Sequence, residues 1–167
     1  MGNPAVLVAF YSRTGTTKLV AEAIAQELGA DLEEIVDLKD RRGMLGFLSG
    51  GKDASLKKLT PIGPVKNQPN AYRVVAIGTP VWANNMSPAV RAYLTQCKDL
   101  LPAVAFFLTT GQSGIDKTFL QMEELCGKTP VATLALKQGD IRKGDHVNRV
   151  KSFADQLRNA SAGGQGQ

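Results

Sequence analysis

Short, nearly continuous apolar runs recur along this chain, and they restrict its fold more than any other feature. Four of them are five to eight residues long: Ala5–Tyr11, Val74–Gly78, Ala103–Thr110 and Val131–Leu136. Such runs, without polar alternation, are typical of strands covered on both faces, as in a parallel sheet. A fifth run, Leu32–Leu38, is interrupted by three acidic residues and predicts a more peripheral strand.

Helical patterns alternate with these runs. Thr16–Leu28 has its apolar residues on one face and is followed by Gly29, a typical helix stop. Ser87 and Pro88 predict the cap and first turn of another helix. The remaining apolar stripes join Val90, Leu94, Cys97 and Leu101; Ile115, Phe119, Met122 and Cys126; and Val147, Val150, Ala154 and Leu157, the last after Asp145 as the expected cap.

Strands that alternate with helices predict an α/β fold with a doubly wound, five-stranded parallel sheet between two helical layers. The expected strand order is 2-1-3-4-5, in which ligands lie beyond the carboxyl ends of the strands. The 167 residues suit one domain, predicted over residues 1–160. The Gly-, Gln- and Ser-rich residues 161–167 are predicted to form a disordered tail.

The loop after the first strand is rich in hydroxyl groups. It comprises Ser12-Arg13-Thr14-Gly15-Thr16-Thr17, which contains four hydroxylic residues and one glycine and leads directly into a helix. Hydroxyls, free backbone N–H groups and the positive end of the helix can all face one anion. A threonine-rich helix cap without a ligand explains one or two of these hydroxyls but not four together with a glycine. The loop therefore predicts a phosphate-binding site, although it contains no Walker A or G-x-G-x-x-G motif.

Two further loops follow the third and fourth predicted strands. The first, Gly78–Pro88, holds the only tryptophan, Trp82, which could contact a planar aromatic ligand or simply close the end of the sheet. The second, Thr109–Gly114, contains two glycines that allow close approach of the backbone to a ligand.

Together the three loops resemble those of the flavodoxin family, in particular its non-classical branch. Ser12–Thr17 is similar to the family's T/S-x-T-G-x-T phosphate loop, and Gly78–Trp82 to its G-[ST]-P-x-[WY] flavin loop. The resemblance spans about residues 5 to 159 and implies bound flavin mononucleotide (FMN). The cofactor-binding residues that it implies are Ser12, Arg13, Thr14, Gly15, Thr16 and Thr17 for the phosphate, and Thr79, Pro80, Val81, Trp82, Ala83, Asn84, Thr110, Gly111, Gln112, Ser113 and Gly114 around the isoalloxazine and ribityl chain.

The chain departs from the family pattern in three ways. Its net charge is +5, whereas short-chain flavodoxins are strongly acidic, so its redox partners are expected to be acidic proteins. Arg13 adds a cation to the phosphate loop and is expected either to face solvent or to screen the phosphate. No glycine lies between Thr79 and Met86, so Asn84 or Asn85 is expected to supply the positive-φ residue of this loop.

The connection from Lys39 to Ala71 is longer than a simple crossover requires. One interpretation is an irregular second helix packed on the sheet. The other is a mobile flap whose Phe47 or Met44 reaches the flavin or a partner subunit.

Three function classes fit this topology. The first is a flavodoxin that carries electrons between proteins, and the second is an FMN-dependent NAD(P)H:quinone or small-molecule oxidoreductase. The third, a receiver-type signalling domain, requires acidic residues at the strand ends, where this chain has Tyr11 and Ser12. The electron carrier is favoured, and no catalytic acid, base or nucleophile is assigned because the flavin performs the redox chemistry.

Other properties bear on location and partners. Cys97 and Cys126 follow apolar helix positions and are expected to be buried, reduced thiols in a cytoplasmic protein. No metal site is predicted from two distant cysteines and one histidine. The dispersed basic residues do not indicate a nucleic-acid surface, and no membrane association is expected. A monomer and a homodimer both remain open.

Overall fold

Five parallel strands form the centre of the protein, as the apolar runs predict. The computed structural model describes residues 4–163. The strands are β1 Val6–Phe10, β2 Asp31–Glu34, β3 Val74–Trp82, β4 Asn85–Met86, β5 Ala103–Thr110 and β6 Thr133–Lys137. The parallel strands lie in the order β2-β1-β3-β5-β6, and the short β4 pairs antiparallel with the end of β3. The predicted doubly wound topology is confirmed, while β4 was not expected.

Six α-helices within residues 4–163 cover the sheet. They are α1 Thr16–Leu28, α2 Gly43–Ser55, α3 Pro88–Cys97, α4 Ile115–Cys126, α5 Gln138–Lys143 and α6 Val147–Ala162. Helices α1 and α6 share one apolar core with the sheet, and α3 and α4 share the other. Helix α2 contacts β3, β4 and α3. Within residues 4–163, no helix is both long and apolar enough to cross a membrane.

Burial on both faces explains why β1, β3 and β5 are continuous apolar runs. Every residue of β1 is buried, as are the first six of β3 and the last seven of β5. Helix α1 has the bounds predicted for it, and Gly29 closes it in the left-handed conformation. At the start of α3, Ser87 Oγ accepts the Val90 N–H, so the predicted cap is also confirmed. Both cysteines are buried and free, as expected.

Some predicted boundaries are wrong. The second strand, predicted over Leu32–Leu38, covers only Asp31–Glu34. Beyond it the chain diverges from β1, and Asp37 forms an isolated antiparallel bridge with Ile62. Helix α3 ends at Cys97, and Leu101 is buried just beyond a separate 3-10 turn.

At the carboxyl end of the chain, Asp145 does not cap α6. Its N–H bonds to the Asp140 carbonyl and so closes the unpredicted α5, which moves the start of α6 to Val147. Helix α6 also runs two residues past the expected domain boundary at residue 160, and Ser161 is buried. Of the tail predicted over residues 161–167, residues 164–167 lie outside the described part of the chain.

The connection between β2 and β3 contains a second helix, α2, as the first of the two interpretations predicts. An ion network around the buried Arg41 attaches this helix to the residues before it. Arg41 Nη1 and Lys39 Nζ each donate to Asp53 Oδ2 at 2.7 Å, and Arg41 Nε donates to Asp37 Oδ2 at 3.0 Å. The hydrogen bond from Lys39 and the one from Arg41 lower the pKa of Asp53.

The Asp53 carboxylate is expected to stabilise the fold at neutral pH and to lose this effect in acid. Asp53→Asn should lower the free energy of unfolding by about 2 kcal/mol at pH 7, because it weakens two charge-assisted hydrogen bonds. Since the folded-state pKa of Asp53 is lowered, the difference from wild type should shrink as pH falls below about 4. Urea unfolding at a series of pH values measures this, and a difference that stays constant across the series would contradict it.

Candidate functional site

The loop between β1 and α1 leaves the first helical N–H groups available to a ligand. Gly15 occupies the cap position with φ of 96°, in the left-handed region, and no side chain caps the helix. Ser12 Oγ instead accepts the Gly15 N–H at 3.1 Å, within the loop itself. The first turn of α1 contains no acidic residue. The uncapped N–H groups and the positive end of the helix therefore favour an anion here.

A buried hydroxyl pair joins this loop to the middle of the sheet. Thr17 Oγ1 lies 2.7 Å from Thr109 Oγ1 at the end of β5, and both residues are buried. This contact holds the amino end of α1 against β5 and so fixes where the uncapped N–H groups point.

The loop after β3 is a tight hairpin rather than an irregular segment. Strands β3 and β4 pair through Trp82 and Asn85, and the two residues between them have positive φ, 48° for Ala83 and 59° for Asn84. Two successive positive φ values match the type I′ turn that suits the twist of a two-residue hairpin. Asn84 therefore takes the role expected of it, whereas the second positive-φ residue is Ala83 and not Asn85.

The hairpin is held against the loop after β5. Asn84 Oδ1 accepts the Ser113 hydroxyl at 3.0 Å. Gly114 approaches so closely that a Cβ on it would lie 2.7 Å from the Asn84 Cα. Two of the loops predicted to flank the ligand are thus in direct contact.

Trp82 is fixed by its neighbours on two sides. Its ring meets Tyr11 edge to face, with 5.5 Å between the ring centroids. Gly50 of α2 packs so near that a Cβ there would lie 2.8 Å from the indole ring. Burial raises the pKa of Tyr11 to about 12, so this phenol stays neutral at physiological pH.

A cavity of about 620 Å³ lies where the three loops meet, within the range of small-molecule and cofactor sites. Nine of the residues predicted to bind the cofactor line it: Ser12, Arg13, Thr14, Thr16, Thr17, Pro80, Val81, Trp82 and Gly111. Gly15 lines a smaller cavity beside it, together with Thr14 and Thr16.

The other predicted residues lie outside the main cavity. Thr79 is buried and its Oγ1 accepts the Ser87 N–H at 3.0 Å, which positions the start of α3. The Thr110 hydroxyl donates to the Ser113 carbonyl at 2.9 Å and shapes the last loop. Asn84, Ser113 and Gly114 form the contact between the two loops, Ala83 is the first turn residue of the hairpin, and Gln112 is exposed.

Four lining residues were not among those predicted: Phe47, Thr109, Gln138 and Arg142. Gln138 and Arg142 belong to α5, which follows β6. The rule that ligands lie beyond the carboxyl ends of strands would have pointed to this segment too. Phe47 is expected near the ligand only in the second interpretation of the Lys39–Ala71 connection, the mobile flap.

Arg13 lines the cavity, is partly buried and is bonded to the segment where α2 begins. Its Nε donates to the Arg41 carbonyl at 2.8 Å and its Nη2 to the Gly43 carbonyl at 3.0 Å. Its guanidinium also lies over the Phe47 ring, 5.5 Å from the centroid. Arg13 thus connects the Ser12–Thr17 loop to the start of α2.

A buried polar chain supports the hairpin from behind. Asn85 Nδ2 donates to the Ala83 carbonyl, and Gln121 Nε2 donates to Asn85 Oδ1 at 2.6 Å. Arg91 Nη2 reaches Gln121 Oε1 at 3.5 Å, a weak bond, and Arg91 Nε has no hydrogen-bond partner among the described residues. Burial lowers the pKa of Arg91, so its charge is costly where it lies.

Arg91→Met is therefore expected to raise the free energy of unfolding by about 1 kcal/mol, since it removes a poorly compensated buried charge and keeps much of the volume. Urea unfolding would measure the change. Arg149→Met, at an exposed position of α6, is the matched control and should change stability by less than about 0.5 kcal/mol. A loss of stability in Arg91→Met would show that the weak bond to Gln121 contributes more than desolvation costs.

The fold and the cavity define a doubly wound α/β protein with an uncapped, hydroxyl-rich loop at its topological switch point. No protein-family model matches the sequence, and no curated protein matches it. Solved structures do match. A flavoprotein from Lactobacillus acidophilus NCFM, in complex with FMN, is 22% identical with a TM-score of 0.69, over 84% of this chain and 97% of that one.

Two other solved structures extend the comparison. A putative flavoprotein from Bacteroides uniformis is 19% identical with a TM-score of 0.73, over 92% of this chain and 99% of that one. A flavodoxin, WrbA-like protein from Agrobacterium tumefaciens is 14% identical with a TM-score of 0.54, over 95% and 99%. The chain therefore has the flavodoxin-like fold, and the resemblance seen in its loops is confirmed at that level.

Proposed function

We propose that this chain binds FMN in the 620 Å³ cavity and acts as an electron-transfer protein. The observation that carries the proposal is the meeting of three features at one edge of the sheet. These are the uncapped, hydroxyl-lined start of α1, the Trp82 hairpin and the Gly111 loop. The first suits a phosphate ester and the second a planar aromatic ring.

The donor set fits an FMN phosphate without a metal ion. Backbone N–H groups at the start of α1 and the hydroxyls of Ser12, Thr14 and Thr16 would hold the phosphate oxygens. Arg142 lines the same cavity and adds a positive charge to it. Hydroxyl and amide donors at a helix start are a common arrangement for phosphate.

The remaining contacts would orient the ring system. Trp82 would pack against the isoalloxazine, and its own position is set by Tyr11 and Gly50. Once bound, FMN supplies the redox chemistry by accepting and releasing one or two electrons. The protein residues bind the cofactor, fix its orientation and shield part of it from water.

The alternative is an FMN-dependent oxidoreductase that uses NAD(P)H to reduce quinones or other small molecules. The observation in its favour is the rim of the cavity at Phe47, which lines the site and yet is mostly exposed. A nicotinamide or quinone ring could reach the flavin past this side chain. Against it, the sequence has no recognisable nicotinamide-binding motif.

Titration of the purified protein with FMN tests the cofactor proposal. The flavin fluorescence should be quenched with a one-to-one stoichiometry, because Trp82 contacts the bound ring. Riboflavin, which lacks the phosphate, is the matched ligand and should bind more weakly. Absence of quenching at excess FMN would contradict the proposal.

Anaerobic mixing of the FMN-loaded protein with NADPH and then NADH separates the carrier from the enzyme. A carrier should keep its oxidised flavin absorbance over many minutes without another protein. Rapid bleaching would instead favour the oxidoreductase.

The buried free thiols of Cys97 and Cys126 suit a reducing compartment, which supports a cytoplasmic location.

A further inference from the structure

Helix α2 has its small residues inside and its large apolar residues outside. Gly46, Gly50 and Ala54 are buried, whereas Met44 is 79% exposed, Leu45 83% and Leu48 59%. A surface helix of a globular protein normally has the opposite arrangement, with large apolar side chains toward the core. An exposed cluster of this kind usually marks a site of interaction.

The inner face of α2 has no room for larger residues. A Cβ on Gly46 would lie 2.2 Å from the Arg41 carbonyl oxygen, and one on Gly50 would lie 2.8 Å from the Trp82 ring. The helix is therefore attached by its small face and by the ion network around Arg41. The outward apolar side chains contribute little to this attachment, so folding does not account for them.

We name this region the α2 surface. It consists of the exposed apolar residues Met44, Leu45, Phe47, Leu48 and Leu56 and the exposed lysines Lys52, Lys57 and Lys58. The only acidic residue between positions 41 and 60 of the sequence is Asp53, which is buried and bonded to Lys39 and Arg41. The α2 surface is thus apolar with a positive border.

The α2 surface is continuous with the cavity. Phe47 belongs to both, since it lines the cavity and follows Met44 and Leu45 along the helix. Arg13 of the Ser12–Thr17 loop lies over the Phe47 ring. A molecule on the α2 surface would therefore border the mouth of the proposed flavin site.

We propose that the α2 surface is the docking site of an acidic redox protein that exchanges electrons with the bound flavin. This docking rests on the proposed FMN-binding function, and the partner is defined by its acidic charge and its ability to donate electrons. Lysines around an apolar centre attract a partner with carboxylates around an apolar centre, and such charges accelerate encounter. In each encounter the reduced partner loses one electron and the flavin gains it.

The size and charge of the surface argue against a second copy of this chain. A stable dimer buries about 800 Å² on each partner, whereas weak electron-transfer complexes bury less. The five exposed apolar side chains of the α2 surface suit the smaller interface of an electron-transfer complex. A second copy would also bring the same lysines and the same net charge of +5 against this surface.

Electron-transfer kinetics test the proposal with the full-length, FMN-loaded protein. The probe is a reduced plant-type [2Fe–2S] ferredoxin, an acidic protein of low potential, mixed anaerobically in a stopped-flow instrument. The second-order rate constant of flavin reduction should fall steeply as salt is raised. It should fall at least about 10-fold in Leu45→Ser/Leu48→Ser and in Lys52→Glu/Lys57→Glu.

Matched variants on other helices serve as controls. Leu120→Ser changes an exposed leucine of α4, and Lys151→Glu changes an exposed lysine of α6. Both should react with the ferredoxin at the wild-type rate. FMN titration of every variant shows whether the cofactor site is intact, so an absence of FMN binding in the wild type counts against the proposed function itself.

Three results would overturn the docking proposal while FMN binding is normal. The first is a rate that does not depend on salt or on the α2 variants. The second is a wild-type dimer, by light scattering, that Leu45→Ser/Leu48→Ser converts to a monomer. The third is co-sedimentation with phosphatidylserine vesicles that the same variant abolishes, since lysines beside apolar residues could also favour an anionic bilayer.

Discussion

Replacement of Thr16 by aspartate is expected to lower the affinity for FMN by at least about 100-fold, or about 2.7 kcal/mol. Thr16 is the first residue of α1 and lines the cavity. A carboxylate there would take up the free N–H groups and repel the phosphate dianion. An acidic residue in the first turn of a helix is favourable, so α1 should remain folded. Flavin fluorescence quenching measures the affinity.

Two controls isolate the charge. Thr16→Asn has nearly the same shape without the carboxylate and should lose much less affinity for FMN. Riboflavin should bind to Thr16→Asp almost as well as to wild type, because it carries no phosphate. If FMN and riboflavin lose affinity equally in Thr16→Asp, the loop does not bind the phosphate and the orientation proposed for FMN is wrong.

Gly78→Ala is expected to have the largest effect on stability, a loss of about 3 kcal/mol. Gly78 lies in β3, opposite Phe107 in the register with β5. A Cβ there would lie 2.0 Å from Phe107 Cζ, far inside van der Waals contact. The ring cannot move away freely, since it is fully buried and packs against Phe153. Urea unfolding measures the loss.

A second glycine provides a control of opposite sign. Gly51 lies within α2, and a Cβ there would meet no atom within 4 Å. Gly51→Ala should therefore stabilise the protein by about 0.5 to 1 kcal/mol through helix propensity. When Gly78→Ala is made in a Phe107→Leu background, it should lower the free energy of unfolding by less than it does in wild type. The reason is that the ring atoms met by the added Cβ are gone. Equal costs in the two backgrounds would contradict the steric explanation.

Much of the fold is readable from local sequence. The strands β1, β3 and β5 are buried on both faces, so they are continuous apolar runs, and α1 carries an apolar stripe closed by Gly29. Alternation of such elements leaves few topologies for a parallel sheet. Local chemistry also predicted an anion at the Ser12–Thr17 loop, and it predicted Asn84 as a positive-φ residue of the turn, which the structure confirms.

Helix α5 could not be read in this way. Its six residues include a single buried one, Ile141, so no apolar stripe distinguishes it from a loop. Its presence nevertheless brings Gln138 and Arg142 to the cavity and moves the start of α6. Short helices of this kind are stabilised by their surroundings rather than by their own pattern.

The sequence by itself determined which segments form the central strands, the first helix and the loop at which an anion is expected, because apolar periodicity and turn chemistry act over a few neighbouring residues. Only the tertiary structure decided which side chains share the cavity and which surface stays exposed. Thr17 and Thr109 meet across 92 residues, and α2 turns Gly46 and Gly50 inward because the Arg41 backbone and Trp82 lie against it. Such contacts depend on how distant segments pack, and no pattern in the neighbouring residues predicts that packing.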